Sequence, residues 1–140
     1  MSLLEKAISI AVEKHMGQKD KSGQPYILHP FRVMLRLDTE DEMIAGVLHD
    51  VIEDSDMTLE DLKEQGFPQN IIDAVDAVSR RGGESYEEFF NRTMDNPLAV
   101  KVKKADLEDN MDVTRLEDVK PEDIKRLNKY LTHWRKIIEL

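Results

Sequence analysis

The chain has 140 residues, of which 35% are charged and 40% hydrophobic, and its formal net charge at pH 7 is −9. This length suits one domain with one core, whereas the acidic balance excludes a general nucleic-acid binder, which needs a basic face. The chain has no cysteine, so disulfides and thiolate metal sites are excluded. Because no apolar run approaches the roughly 20 residues of a membrane span and no signal peptide is recognisable, we expect a soluble cytoplasmic protein without a membrane partner.

Helical periodicity dominates the N-terminal part of the chain. Ser2 and Glu5 form a capping-box pattern that begins a first helix, and Gly17 ends that helix. A polar loop at residues 18–24 then precedes a second helix, for which Pro30 suits the first position.

The rest of the chain continues as helices separated by short turns. A third helix is predicted over residues 41–54. Later helices are predicted to begin at or next to Thr58, Pro68, Ser85, Leu98 and Pro121. Because no stretch shows sustained period-two alternation, the sequence predicts an all-α fold, a single compact bundle of about seven to eight helices in one domain over residues 1–140.

The most informative stretch lies at the end of the predicted third helix. His49, Asp50, Glu53 and Asp54 follow the apolar run at residues 43–48, and helical spacing places them on neighbouring faces. Unpaired charge beside buried residues costs several kcal/mol or more. A divalent metal ion is therefore the economical explanation for one imidazole and three carboxylates in this place.

Two further candidate ligands lie elsewhere in the chain. His29 stands before Pro30, which restrains its backbone, and Asp106 shares a helix face with Asn110. Two histidines and two carboxylates suit Mn²⁺, Fe²⁺, Zn²⁺ or Ni²⁺, with Mg²⁺ as a further candidate. Taken singly, each of these residues is more often a capping, turn or solvated residue, so it is their joint occurrence that favours a metal site.

Three pieces of the chain form a combined pattern, at residues 15–30, 48–54 and 103–111. In order and spacing they resemble HD-superfamily phosphohydrolases, and specifically the hydrolase domain of RelA/SpoT-type enzymes and their small stand-alone homologues. The resemblance extends from residue 7 to about residue 116. It implies that the predicted helices form one HD-domain bundle.

The resemblance also implies roles for individual residues. It makes His29, His49, Asp50 and Asp106 the ligands of one divalent ion, usually Mn²⁺ in this family. It makes Glu53 and Asp54 the groups that position or deprotonate the attacking water. Members of the family hydrolyse the 3′-pyrophosphate ester of ppGpp and pppGpp, giving GDP or GTP and pyrophosphate, and the metazoan form is also reported to act on NADPH. The expected partner is thus a small anionic nucleotide.

Several positions depart from the pattern of the family. Asp20 precedes Lys21 where the family usually has Arg-Lys beside the guanine base. Leu107, Asp109 and Asp112 replace an Arg, a His and a second Arg. Lost cations weaken polyphosphate binding, since a charge-assisted contact contributes about 1.5–3 kcal/mol. Two alternatives therefore remain: a phosphohydrolase of another nucleotide or phosphomonoester, including NADPH, and a nucleotide-binding regulator without turnover.

Other side chains are candidates for substrate contact, although solvated surface charge explains the cations equally well. The candidates are Lys21, Tyr26, Arg80, Lys103, Asn110 and Thr114. For Tyr26, inward packing is an equal alternative. The sequence leaves open whether copies of the chain form a homo-oligomer.

Overall fold

The computed structural model describes residues 1–139, and helices make up its regular structure. The helices are α1 (Leu3–Lys14), α2 (Leu28–Leu35), α3 (Glu40–Val47), α4 (Val51–Asp54), α5 (Leu59–Glu64), α6 (Gln69–Ala77), α7 (Tyr86–Met94), α8 (Pro97–Asn110) and α9 (Pro121–Ile138), with a 3-10 turn at Val113–Arg115. In this part of the chain no β-strand forms, and a single bridge between Lys19 and Pro25 closes the loop after α1. The all-α prediction is confirmed.

Most of the local signals for helix starts are also confirmed. The Ser2 hydroxyl accepts the backbone N–H of Glu5 at 3.1 Å, and the Glu5 carboxylate accepts the backbone N–H of Ser2 at 2.9 Å. The same reciprocal exchange begins α5 and α7. These bonds satisfy backbone donors that no helical carbonyl can reach.

The predicted helix over residues 41–54 is interrupted, which the periodicity did not indicate. α3 ends at Val47 and α4 begins at Val51, with a turn of three residues between them. His49 Nδ1 lies 2.6 Å from the carbonyl oxygen of Gly46, which a continuing helix would pair with the backbone N–H of Asp50. The ring thus takes over a backbone acceptor and turns the chain where the ligands are expected.

Helix α2 begins two residues earlier than predicted. It starts at Leu28, so that His29 and Pro30 both lie in its first turn. Proline is tolerated there because the first backbone N–H groups of a helix have no carbonyl partner in any case. His29 is therefore carried by the helix itself rather than by the loop before it.

The core is organised around α3, which packs against α1, α2, α6 and α8. A smaller cluster, comprising Phe90, Leu107, Ile137 and their neighbours, holds α9 against α7 and α8. As a result, the first turn of α2, the turn between α3 and α4, and the middle of α8 meet on one side of the core. Within residues 1–139, none of the helices combines the length and hydropathy that a membrane crossing requires.

Leu48 links this core to the interrupted helix, and its substitution gives a stability prediction. Its side chain is fully buried, so Leu48→Ala is expected to lower the free energy of unfolding by about 2–5 kcal/mol through lost apolar burial and a residual cavity. Urea denaturation measures this effect. The matched control is Leu35→Ala in α2, where the leucine is 72% exposed and the expected change is within about 0.5 kcal/mol. Equal changes in the two variants would contradict the assignment of Leu48 to the core.

Candidate metal centre and active site

The four predicted metal ligands meet in the structure. Asp106 Oδ1 lies 2.9 Å from His29 Nε2 and 3.4 Å from His49 Nε2. Asp50 Oδ2 lies 3.0 Å from His49 Nε2 and 3.8 Å from His29 Nε2. Ligand atoms of His29, His49 and Asp50 all fall within 4.8 Å of one another. Each histidine Nε2 thus lies within 4 Å of a carboxylate oxygen of Asp50 and of one of Asp106.

The second nitrogen of each histidine ring contacts a different acceptor. His29 Nδ1 lies 2.7 Å from Asp109 Oδ2, and His49 Nδ1 lies 2.6 Å from the Gly46 carbonyl oxygen. Both partners are acceptors, so each Nδ1 donates its proton to them, and each Nε2 is the nitrogen that a neutral ring would offer to a metal ion. Histidines that bind metals in proteins are usually held in this way. His49 Nε2 is buried and makes no hydrogen bond, so these residues fit a divalent ion.

The pKa values of the cluster also favour positive charge beside the two aspartates. Burial opposes the charged form of His49, but the carboxylates of Asp50 and Asp106 outweigh burial and raise the pKa of the ring well above its usual value. Burial likewise opposes ionisation of Asp106, yet the Lys103 ammonium and the histidines hold the pKa of Asp106 well below its usual value. The Asp50 and Asp106 carboxylates therefore stay ionised, and either protonated histidine or a bound cation has to balance their charge.

Three side chains predicted to contact substrate bind the carboxylates of Asp50 and Asp106. The Tyr26 hydroxyl donates to Asp50 Oδ2. Asn110 Nδ2 donates to Asp106 Oδ1 at 3.1 Å, and Lys103 Nζ lies 3.4 Å from Asp106 Oδ2. Such contacts fix the orientation of a ligand carboxylate.

Glu53 and Asp54 lie one turn beyond His49 and Asp50, in α4. A carboxylate oxygen of Glu53 accepts the backbone N–H of Arg80. Burial, together with the nearby Asp50 carboxylate, raises the pKa of Glu53 and that of Asp54. Glu53 lines the cavity described next. A carboxylate with a raised pKa is a better proton acceptor than an ordinary surface carboxylate.

A cavity of about 540 Å³ opens beside the predicted ligands His29, Asp50 and Asp106 and reaches from the loop after α1 to α9. Five of the predicted substrate contacts line it: Lys21, Tyr26, Arg80, Lys103 and Asn110. Thr114 is exposed and is not among the lining residues of the described chain. Its hydroxyl instead donates to Asp112 Oδ1 at 2.6 Å. The structure thus brings all but Thr114 of this set to the cavity.

The lining is more cationic than the chain as a whole. It carries seven lysine or arginine side chains and six carboxylates, against a net charge of −9 for the chain. Three lining residues were not predicted from the sequence: Arg32, Arg126 and Tyr130. Arg32 lies in α2, whereas Arg126 and Tyr130 lie in α9, so only the packing of the helices brings them to one cavity.

Two of the residues that depart from the family pattern are engaged within the protein. Asp20 Oδ1 accepts the backbone N–H groups of Ser22 and Gln24 at 2.9 Å each and so caps its own loop. Asp109 is fully buried and binds His29 and Arg32. Burial raises the pKa of a carboxyl, but the hydrogen bonds from His29 and Arg32 hold the pKa of Asp109 at about 2. The sequence contained one signal for this contact, because Arg32 and Asp109 each follow a predicted ligand by three residues, one helical turn.

An all-helical fold and a cluster of two histidines and two aspartates suited to a divalent ion define the class of protein. The chain belongs to the HD domain family, whose model matches residues 7–127. Among curated relatives, the guanosine-3′,5′-bis(diphosphate) 3′-pyrophosphohydrolase of Aquifex aeolicus is 34% identical over 120 residues, covering 77% of this chain and 17% of that protein. The bifunctional (p)ppGpp synthase/hydrolase SpoT of Escherichia coli is 30% identical over 140 residues, covering 89% and 19% respectively.

A solved structure supports the fold. It is described as a metazoan ortholog of SpoT that hydrolyzes ppGpp, and it superposes with a TM-score of 0.76 at 23% identity, over 99% of this chain and 85% of that one. The chain spans less than a fifth of the length of the curated relatives named above. The similarity therefore concerns one region of those longer proteins, and the HD-domain helical fold is confirmed.

Proposed function

We propose that the protein is a metal-dependent nucleotide phosphohydrolase that converts ppGpp and water to GDP and pyrophosphate. The observation that carries the proposal is the convergence of two histidine Nε2 atoms and two aspartates beside a cavity with a raised-pKa glutamate. The names of the relatives support the choice of substrate, since several are 3′-pyrophosphohydrolases of this alarmone.

In this proposal His29, His49, Asp50 and Asp106 hold one divalent ion, Mn²⁺ in the first instance. The ion supplies Lewis-acid chemistry at a phosphoryl oxygen and lowers the pKa of water. Tyr26, Asn110 and Lys103 keep the two aspartates in the orientation that this binding requires.

Glu53 is the proposed proton acceptor, and Asp54 orients the attacking water beside it. The water oxygen forms a bond to the phosphorus next to the ribose 3′ oxygen, and the bond between that phosphorus and the 3′ oxygen breaks. Glu53 takes a proton from the water, and the departing 3′ oxygen takes one up, so that pyrophosphate and a 3′-hydroxyl result. General base catalysis of this kind contributes roughly 10²–10⁴-fold.

The cavity suits a small polyanionic nucleotide. Lys21, Arg80 and Lys103 line it together with arginines from other helices, and these cations offset part of the loss at positions 107, 109 and 112. The carboxylates of Asp20 and Asp109 bind groups of the protein itself, which reduces their repulsion of a phosphate. A general nucleic-acid surface is not part of the proposal, because the basic groups lie in a cavity.

The test is turnover by purified protein supplied with Mn²⁺. We expect equal amounts of GDP and pyrophosphate from ppGpp, and no product after chelation of the metal. In ¹⁸O-labelled water the label is expected in pyrophosphate and not in GDP, because the attack is at phosphorus. NADPH and a panel of nucleotides and phosphomonoesters are assayed in parallel.

Each alternative predicts a different result in this assay. Faster hydrolysis of NADPH or of another phosphate ester than of ppGpp would contradict the substrate assignment but keep the chemistry. Tight binding of intact ppGpp without product over hours would contradict hydrolysis and indicate a regulator.

A further inference from the structure

Asp109 is the most completely buried carboxylate near the metal centre, with none of its side chain exposed. It lies in α8 one turn after Asp106 and faces α2 across the helix interface. Its two oxygens contact different groups: Oδ2 lies 2.7 Å from His29 Nδ1, and Oδ1 lies 2.8 Å from Arg32 Nε. Each oxygen therefore accepts a hydrogen bond from a separate donor.

Further arginines surround the same carboxylate. Arg115 Nη1 lies 3.5 Å and Arg36 Nη2 3.9 Å from Asp109 Oδ1, and Arg115 Nη2 donates to the Asp109 backbone carbonyl at 3.2 Å. All of these cations lie on the side of Oδ1. Oδ2 contacts the His29 ring instead. The arginines at Oδ1 therefore hold the carboxylate, and with it the position of Oδ2.

We propose that Asp109, anchored by Arg32, is a positioning residue of the metal centre. Its Oδ2 accepts a hydrogen bond from the Nδ1–H group of His29. This bond holds the His29 ring in the tautomer and rotation that direct Nε2 at the ion. The proposal rests on the metal site of the proposed function. It goes further because it assigns a role to a residue that departs from the pattern of the family.

The chemistry of the site requires a carboxylate at this position. An amide at position 109 has one acceptor and one donor group. Whichever way it is turned, its NH₂ group faces either the His29 N–H or the Arg32 N–H, and one contact is lost. Groups that hold a metal-binding histidine in this manner typically contribute about 10–100-fold to metal affinity.

The structural alternative is that Asp109, itself buried, only pairs with the partly exposed arginines around it. That role predicts a loss of stability in Asp109→Asn without a change in metal affinity per folded molecule. Metal binding and folding must therefore be measured separately.

The experiment titrates Mn²⁺ alone into the whole chain by calorimetry, with circular dichroism and thermal unfolding as folding controls. Asp109→Asn is expected to bind Mn²⁺ about 10–100-fold more weakly than the unmodified protein. The matched control is Glu108→Gln on the same helix, which also exchanges a paired carboxylate for an amide. Glu108 contacts Lys104 and Trp134 instead of a histidine, so unchanged Mn²⁺ affinity is expected.

A spectroscopic signature accompanies the titration. In Zn²⁺-loaded protein, which is diamagnetic, the ring N–H of His29 bound to Asp109 is expected to give a slowly exchanging proton signal. The chain has four histidines, so the signal can be assigned by nitrogen correlation. Loss of this signal in Asp109→Asn, with the Gly46-bound ring N–H of His49 retained, is the expected result.

The outcomes separate this inference from the proposed function. Unchanged Mn²⁺ affinity in folded Asp109→Asn would overturn the inference. If that variant does not fold, Arg32→Gln decides: weaker Mn²⁺ binding supports the inference and unchanged binding overturns it. An unmodified protein that binds no Mn²⁺ would overturn both proposals. One that binds Mn²⁺ but hydrolyses no substrate would overturn the hydrolase assignment alone.

Discussion

Asp50→Asn is expected to reduce ppGpp turnover by roughly a thousandfold and to weaken Mn²⁺ binding, while the helices remain folded. Asp50 offers the cluster one carboxylate oxygen, 3.0 Å from His49 Nε2, and that oxygen also accepts the Tyr26 hydroxyl. A bound ion supplies several kcal/mol of transition-state stabilisation, and about 1.4 kcal/mol corresponds to tenfold in rate. Initial rates at increasing Mn²⁺ concentration, with calorimetric Mn²⁺ titration, measure both effects.

The matched control is Asp118→Asn, which makes the same exchange in an exposed turn away from the cavity lining. Its turnover and Mn²⁺ affinity are expected to equal those of the unmodified protein. If Asp50→Asn retained full activity at low Mn²⁺ concentration, Asp50 would not be a ligand, and the proposed metal centre would have to be rejected.

Glu53→Gln is expected to lower kcat by about 10²–10⁴-fold, the usual contribution of a general base, with little change in Mn²⁺ affinity. Glu53 follows the proposed ligand His49 by one turn, and its carboxylate accepts the Arg80 backbone N–H, a bond that the Gln oxygen can keep. The variant therefore removes the proton acceptor and leaves the geometry in place. Single-turnover rates at saturating Mn²⁺ and substrate measure the loss.

Glu53 is also expected to make kcat/KM fall as the pH is lowered. Burial raises the pKa of Glu53 above its usual 4.5, so the carboxylate is present above the raised pKa and is lost as the pH falls through it. The acid limb of kcat/KM is thus expected above pH 4.5, and the limb due to Glu53 disappears in the variant. Because a raised pKa in the folded state means that the ionised group costs stability, Glu53→Gln is not expected to unfold more easily at pH 7.

The control for this pair of measurements is Glu64→Gln at the exposed end of α5. It is expected to keep both the rate and the acid limb of the unmodified protein. An unchanged kcat in Glu53→Gln would show that Glu53 does not accept the proton and would move that role to Asp54.

The interrupted helix shows where sequence periodicity was insufficient. Residues 41–54 have the spacing of one continuous helix, and the apolar periodicity gives no sign of a break. The break arises because the His49 ring takes the Gly46 carbonyl and because the surrounding helices bury Leu48 on the core side. Both the hydrogen bond of the His49 ring and the packing of Leu48 are side-chain interactions. A prediction based on helical spacing does not take them into account.

At positions 20 and 109 the sequence likewise did not indicate what the side chains contact. In the sequence they are acidic residues where the family has cations, which predicted repulsion of a polyphosphate. In the structure the Asp20 carboxylate caps its own loop, and the Asp109 carboxylate lies beneath His29. The sequence shows that a residue is charged but not where its side chain points. The effect of the charge on a ligand therefore depends on the fold.

The sequence by itself determined the all-α class and most helix starts, because caps and helical spacing act over a few residues. It also determined the members of the proposed ligand set, because the residue types suited to a divalent ion are few. Only the tertiary structure decided which groups hold those ligands. His29 and Asp109 are 80 residues apart, and Arg32 and Asp109 are 77 apart. Such pairs meet only where α2 packs against α8, and this packing is set by the burial of the whole core around α3.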